Sequence, residues 1–317
     1  MKTFVIANPK AAGGRVARKW GRLYATVSSS LGDTTVRFTG HQGHATELAR
    51  NAIGEGYERI VVVGGDGTLN EVVNGFFDDQ GEPINPEIVL AVVPAGTGGD
   101  FARSIGMRDI SPEDAFRTAT VRCVDTGIVR CGGADGSEQM RHFINIASFG
   151  ATGLITDRVN SAAKTILRGK ASYFFESLVG LSQYKNQRVR LRVDDHFEKV
   201  VSINSVAVAN GRYFGGSMKV APDAMIDDGL LDVVIIGDLS ATEFLRHNKK
   251  IYAGTHLSLE EVSVVRGKKV IAEPVGTGDV CIEADGERPG NLPATFELRP
   301  QSVKLWAPWD RSQVLSS

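Results

Sequence analysis

The chain is short of cysteine, of long apolar runs and of any excess of one charge sign, and each shortage removes a class of function. Three cysteines, Cys123, Cys131 and Cys281, cannot complete a set of internal disulfides, and their spacing matches no common zinc pattern. A reducing cytoplasm is the compartment this implies. The longest apolar runs, such as Ile60 to Val63 and Ile88 to Val93, fall far short of the roughly 20 residues that cross a bilayer. Thr3 to Ala7, closed by Asn8 and Pro9, is too short for a secretory leader and reads as a first strand. A net charge of −1 supplies no global attraction to nucleic acid or anionic lipid. Nucleic acid is therefore not an expected partner, and any attraction to a membrane surface has to be local. No Gly-x-Ser-x-Gly elbow is present, which leaves a serine hydrolase unsupported. Of the six histidines only His41 and His44 are spaced to face one another, and capping or solvent exposure accounts for them.

What is present is an ordinary globular composition, 42% hydrophobic and 23% charged, over 317 residues, a length that favours two domains. Up to about residue 125, β-rich apolar runs alternate with helical patterns: Thr3 to Asn8, Thr34 to Thr39, Arg59 to Val63 and Ile88 to Val93 each lead through a glycine-rich turn into a helix. This predicts a parallel sheet whose strand-to-helix turns emerge at one edge, where such sheets bind ligands. Ser111-Pro112 opens a further short helix with Ser111 as its cap. From there the pattern changes to hairpin-like strands, among them Val200 to Ala209, Leu230 to Ile236, Lys268 to Ala272 and Ala294 to Leu298. The expected fold class is an α/β domain over 1–125 and an antiparallel β-sandwich over 126–317, with the last segment returning to the first domain.

Two loops carry chemistry. Gly64-Gly65-Asp66-Gly67-Thr68 follows a strand and opens a helix, so it offers backbone N–H groups to an anion with no Cβ in the way. It is neither a P-loop nor a dinucleotide fingerprint, since no Lys-Ser/Thr follows and the third glycine is missing. Asp66 beside a triphosphate would repel it unless Mg²⁺ bridges the two or the carboxylate takes a proton; the alternative is that Asp66 only caps the helix. Gly96-Thr97-Gly98-Gly99-Asp100 repeats the arrangement at the next strand and brings a second carboxylate to the same edge.

Gly-Gly-Asp-Gly-Thr-Leu-Asn-Glu-Val-Val-Asn-Gly at 64–75 resembles the catalytic domain of the diacylglycerol kinase family, shared with sphingosine kinases and bacterial lipid kinases. Asn8-Pro9, Pro94 to Thr97 with Asp100 to Arg103, Asp227 to Asp232, and Asp285-Gly286-Glu287 extend the resemblance over nearly the whole chain. It departs at Gly99, where the family usually has Asn. The resemblance implies an NAD-kinase-like α/β domain, a β-sandwich that takes the lipid, and an active site in the cleft between them. It implies transfer of a phosphoryl group from ATP, with Mg²⁺, to the hydroxyl of a membrane lipid such as diacylglycerol.

By resemblance Asp66 is the catalytic carboxylate, Asp100 and Asp125 are its acidic partners, and Glu287 arrives from the second domain. Asn8, Thr39, Gly64, Gly65, Asp66, Gly67, Thr68, Gly96 and Thr97 are expected at the nucleotide, and Met225, Asp228 and Leu230 at a structural Mg²⁺. Each has a plainer reading: Asp125 and Glu287 as turn residues, Thr39 as a strand former, 225–230 as an acidic turn. Arg158, Lys164, Arg168 and Lys170 among apolar neighbours suit docking at a membrane surface, or else a solvated helix on the sandwich. An exposed strand edge in the second domain would suit a homodimer. NAD kinase shares the Gly-Gly-Asp-Gly-Thr loop, but 70–75 and the second Gly-Thr loop fit lipid kinases better. A non-catalytic regulator that binds lipid or nucleotide is the other alternative, favoured only by Gly99.

Overall fold

The computed structural model describes residues 1–96, 99–107, 110–133, 136–153 and 184–309. Thr97 and the docking candidates Arg158, Lys164, Arg168 and Lys170 lie outside the described residues. The first half is built on β1 (Thr3–Ala7), β2 (Thr34–Phe38), β3 (Arg59–Gly64) and β4 (Val89–Pro94). They pair in parallel in the order β2-β1-β3-β4. The inner three are almost wholly buried, which is why they read as unbroken apolar runs, while β2 at the edge keeps Arg37 and Phe38 exposed. Five helices follow the strands: α1 (Ala11–Leu31), α2 (His44–Gly54), α3 (Asp66–Asn74), α4 (Asp100–Ser104) and α5 (Pro112–Thr118). Ala12, Gly13 and Gly14 in α1 have positive φ, so the regular helix begins at Arg15. Ser111 caps α5 by accepting the Asp114 amide at 3.1 Å.

The second half contains β5 (Thr120–Gly132), β6 (Glu138–Phe143), β7 (Ile146–Gly150), β8 (Gln187–Val193), β9 (Phe197–Ile203), β10 (Ser205–Ala209) and β11 (Leu231–Ile236). Then come α6 (Ala241–Ala253), β12 (Val262–Gly267), β13 (Lys269–Pro274), β14 (Ile282–Ala284) and β15 (Asn291–Ala307). One sheet runs β12-β11-β10-β7-β14, all antiparallel. It packs on the antiparallel end of the large sheet through a core that includes Phe149, Val206 and Val233 from one layer and Leu191, Val270 and Phe296 from the other. The long β15 joins the halves, pairing antiparallel with β13 and β5 and parallel with β4 through Lys304 to Trp306. The architecture is thus a mixed α/β sheet domain followed by an antiparallel β-sandwich. No helix among the described residues is long and apolar enough to cross a membrane.

Two segments differ from the sequence expectation. Val200 to Ala209 reads as one strand but divides at Asn204, whose amide donates to the Ile236 and Gly237 carbonyls while its own carbonyl accepts from Ala151. The chain crosses there from the large sheet to the small one. Val124-Asp125-Thr126-Gly127 has the composition of a turn yet lies inside β5. Gly127 is required because the Phe143 ring covers it: a Cβ there would stand 2.0 Å from a ring carbon.

Candidate active site

The loops after β1, β2, β3 and β4 all emerge at the carboxyl edge of the parallel strands, which brings together residues far apart in sequence. Asn8 follows β1 and donates its side-chain amide to the Thr68 hydroxyl at 3.0 Å. Thr39 follows β2, is buried, and donates its backbone amide to Ala7. The two glycine loops press against each other: Ala95 N–H meets the Gly64 carbonyl at 2.8 Å, and a Cβ on Gly96 would lie 2.6 Å from Gly65 Cα. Gly64 is also restricted, since a Cβ there would stand 2.8 Å from the Thr68 side chain. Only glycines permit this approach. Gly67 has open space beside it.

Asp66 sits in the first turn of α3, but its carboxylate serves a different helix. Its Oδ2 accepts the amides of Gly99 at 3.0 Å and Asp100 at 3.2 Å, and its Oδ1 that of Phe101 at 3.3 Å. It therefore satisfies the open N-terminus of α4, an arrangement that loop sequence alone does not reveal. Gly99 stands in left-handed backbone at φ 65°, a conformation that Asn also tolerates, so the departure at this position keeps the amide and loses only a side chain. Asp100 is buried and reaches the second half, accepting the amides of Gly216 at 2.9 Å and Ser217 at 2.8 Å. Burial first, then the nearby Asp66 charge, raise its carboxyl above the usual range. Two like charges at the mouth of converging amides are an arrangement that a cation would relieve.

The second half contributes the hairpin tip Asp285-Gly286, with both φ values positive, that connects Ala284 to Glu287. Glu287 is indeed beside a turn, and the turn carries it to the other half: Gln42, in the loop after β2, donates to Glu287 Oε2 at 2.9 Å. Asp285 is the anchor. Its carboxylate accepts the amides of Ile144, Asn145 and Ile146 and the side-chain amide of Asn70 at 2.8–3.1 Å. Asn70 is fully buried on α3 and also accepts from Arg141, so the run 64–75 serves the contact between halves as well as the loop. Glu283 lies beneath the tip, accepting from Ser148 Oγ at 2.7 Å and from the Gly286 amide. Burial raises Glu283 to about 7 and Asp285 to about 6. Asp285 and Asn70 were legible as parts of motifs; Gln42 and Glu283 carried no signal, because their roles are contacts across the chain.

Asp125, Met225, Asp228 and Leu230 form a separate cluster. Asp125 is fully buried and accepts the amides of Gln301 at 2.7 Å and Gly229 at 2.8 Å; burial raises its carboxyl, assisted by Asp228 and Asp227. Its partners lie there and not at Asp66. Met225 and Asp227 line a cavity of about 10 Å³, room for roughly one water. Asp228 accepts the Leu230 amide at 3.1 Å on one oxygen and pairs with the Arg266 guanidinium on the other. The carboxylate that the resemblance assigns to Mg²⁺ therefore already faces a cation of the chain itself.

Residues 2–129 match the family model of the diacylglycerol kinase catalytic domain, and residues 145–307 match that of the YegS C-terminal NAD kinase beta sandwich-like domain. A diacylglycerol kinase of Bacillus subtilis (strain 168) is 29% identical over 315 residues, 98% of each chain. One from Mycobacterium tuberculosis (strain CDC 1551 / Oshkosh) is 29% identical over 303 residues, 94% of this chain and 90% of the other. Among solved structures, a diacylglycerol kinase from Bacillus anthracis str. Sterne superposes with a TM-score of 0.70 at 23% identity, covering 99% of this chain and 98% of that one. Yeast NADH kinase complexed with NADH gives 0.52 at 13% identity over 96% and 82%. These last two are likenesses of fold.

Proposed function

We propose, for a chain that belongs to the diacylglycerol kinase catalytic-domain family, that it moves the γ-phosphoryl group of ATP onto the primary hydroxyl of a membrane lipid, with diacylglycerol as the acceptor. The observation that carries this reading is the pair of abutting glycine loops, Gly65 against Gly96, with Asp66 and Asp100 beside them and Glu287 delivered from the other half. Phosphoryl transfer needs positioning, charge stabilisation and a route for the hydroxyl proton, and little covalent chemistry from the protein. Backbone amides of 64–68 and 96 cradle the phosphates, while Asn8, Thr68 and Thr39 line the nucleotide. Asp66 and Asp100 are the residues that would hold the Mg²⁺ accompanying ATP, whose charge would offset that of the transferring group. Glu287 receives the lipid proton, oriented by the Gln42 amide. Asp125 acts at a distance by holding 226–230 and Gln301 in place. The protein acts at the surface of a membrane, and a homodimer would pair through the edges β9 or β12.

The test is transfer of label from terminally labelled ATP to a panel of lipids in mixed micelles, with NAD included and Asp66→Ala as control. Label on diacylglycerol that disappears in the control supports the reading. Label on another lipid changes the acceptor, label on NAD replaces the reading, and ATP binding without turnover on any acceptor overturns it in favour of a regulator.

A further inference from the structure

The turn at 225–230 is braced from two sides. Asp125 holds the Gly229 amide and accepts nothing else from the turn, while the Asp125 amide donates to the Ile226 carbonyl at 2.7 Å. On the opposite side Asp232, on β11, lies directly across from Arg266, on β12, in the strand register. That pairing fixes where the guanidinium falls. Its Nη2 meets Asp228 Oδ2 and its Nε meets Asp232 Oδ2 at 3.3 Å, so one cation bridges two carboxylates. The Asp228 and Asp232 side chains are only 5% and 4% exposed, and Arg266 at 39% closes them off from solvent. Carboxylates this deeply buried require a counter-charge.

A Mg²⁺ ion held by Asp228 and the carbonyls of Met225 and Leu230 demands near-ideal octahedral geometry with ligands at about 2 Å. With Asp228 Oδ1 receiving the Leu230 amide and Oδ2 receiving Arg266, such an ion would share its one carboxylate with a guanidinium and be repelled by it. The geometry points to Arg266 as the built-in cation of this turn: it takes the place of the structural divalent ion and makes the folded chain independent of one there. The planar fork suits the role, since it reaches two carboxylates at once where a lysine ammonium would favour one. This inference does not depend on the lipid or on catalysis.

The experiment is thermal unfolding of the full chain without nucleotide, in excess EDTA and in millimolar MgCl₂, for the native protein, Arg266→Lys and Arg266→Met. The native protein should melt at the same temperature in both. Arg266→Met should melt roughly 5 °C or more lower in EDTA and recover most of that in MgCl₂, as the ion enters the space the guanidinium leaves. Arg266→Lys should fall between the two. A native protein that loses stability in EDTA and regains it with MgCl₂ overturns the inference, and that arm needs no variant to fold. An Arg266→Met protein as stable as the native one, or equally destabilised with and without MgCl₂, overturns it as well.

Discussion

The Asp100 amide donates to the Asp66 carboxylate at 3.2 Å while the Asp100 carboxylate accepts from Gly216 and Ser217, so two aspartates in series tie α3 to α4 and α4 to the second half. The structural role of Asp66 and the chemical one proposed for it can be separated by substitution. Asp66→Asn keeps an oxygen for the Gly99 and Asp100 amides and should cost about 1 kcal/mol of stability at most. Its kcat should fall about 100-fold or more, through loss of the charge that meets Mg²⁺. Asp66→Ala, which strands three amides, should lose both activity and about 3 kcal/mol. Full activity in Asp66→Asn would reduce Asp66 to a tie between loops. Denaturant titration and steady-state rates read the two effects independently.

Gly96→Ala places a Cβ 2.6 Å from a backbone atom, Gly65 Cα, which cannot yield as a flexible side chain can. The loops should part, with a stability loss of about 1–3 kcal/mol and ATP affinity lowered about tenfold or more by calorimetry. Gly67→Ala meets open space and should bind ATP far better than Gly96→Ala. Equal affinities in the two variants would contradict the loop contact.

Glu287 is half-buried and its carboxylate accepts across the halves from Gln42, a bond that Gln at 287 can still accept, so Glu287→Gln should leave stability within about 0.5 kcal/mol of the native value. If it takes the lipid proton, kcat should drop roughly 10²–10⁴-fold with ATP affinity unchanged. Gln42→Ala should slow turnover less than tenfold. A Glu287→Gln enzyme with native kcat would move the proton acceptor elsewhere.

Asp285 accepts four N–H donors, so Asp285→Ala should cost about 3–5 kcal/mol, more than any exposed substitution in the site, because those donors are buried with it. Chemical denaturation would also show whether the two halves then unfold apart. An Asp285→Ala loss below about 1 kcal/mol would mean that this anchor does not hold the halves.

Burial raises Glu283 to about 7 and Asp285 to about 6, against 4.5 and 3.8 for the free groups. The folded chain thus binds these protons more tightly than the unfolded one, and stability from this source is full below about pH 4 and lost as pH rises through 6 and 7. Glu283→Gln cannot ionise. Its melting temperature relative to the native protein should therefore rise between pH 5 and pH 8, by an amount worth about 3 kcal/mol at most. A difference that stays flat over that range would show that Glu283 does not titrate there.

Sequence by itself determined the elements whose causes are local. Apolar β-branched runs ending in glycine specified the parallel strands and the edge at which their loops emerge, and Gly-Gly-Asp-Gly-Thr with Gly-Thr-Gly-Gly-Asp marked the two glycine loops that meet there. Ser111 before Pro112 marked a helix start for the same reason. Only the tertiary structure decided which helix Asp66 serves, that Asp125 lies within a strand, that Asn204 divides a strand between two sheets, and that Asn70, Gln42 and Arg266 are contacts across the chain. Backbone conformation and burial pattern repeat over a few residues and leave a periodic trace. A hydrogen bond between residues 42 and 287, or an ion pair between 228 and 266, depends on where two distant segments meet, and composition records nothing of that meeting.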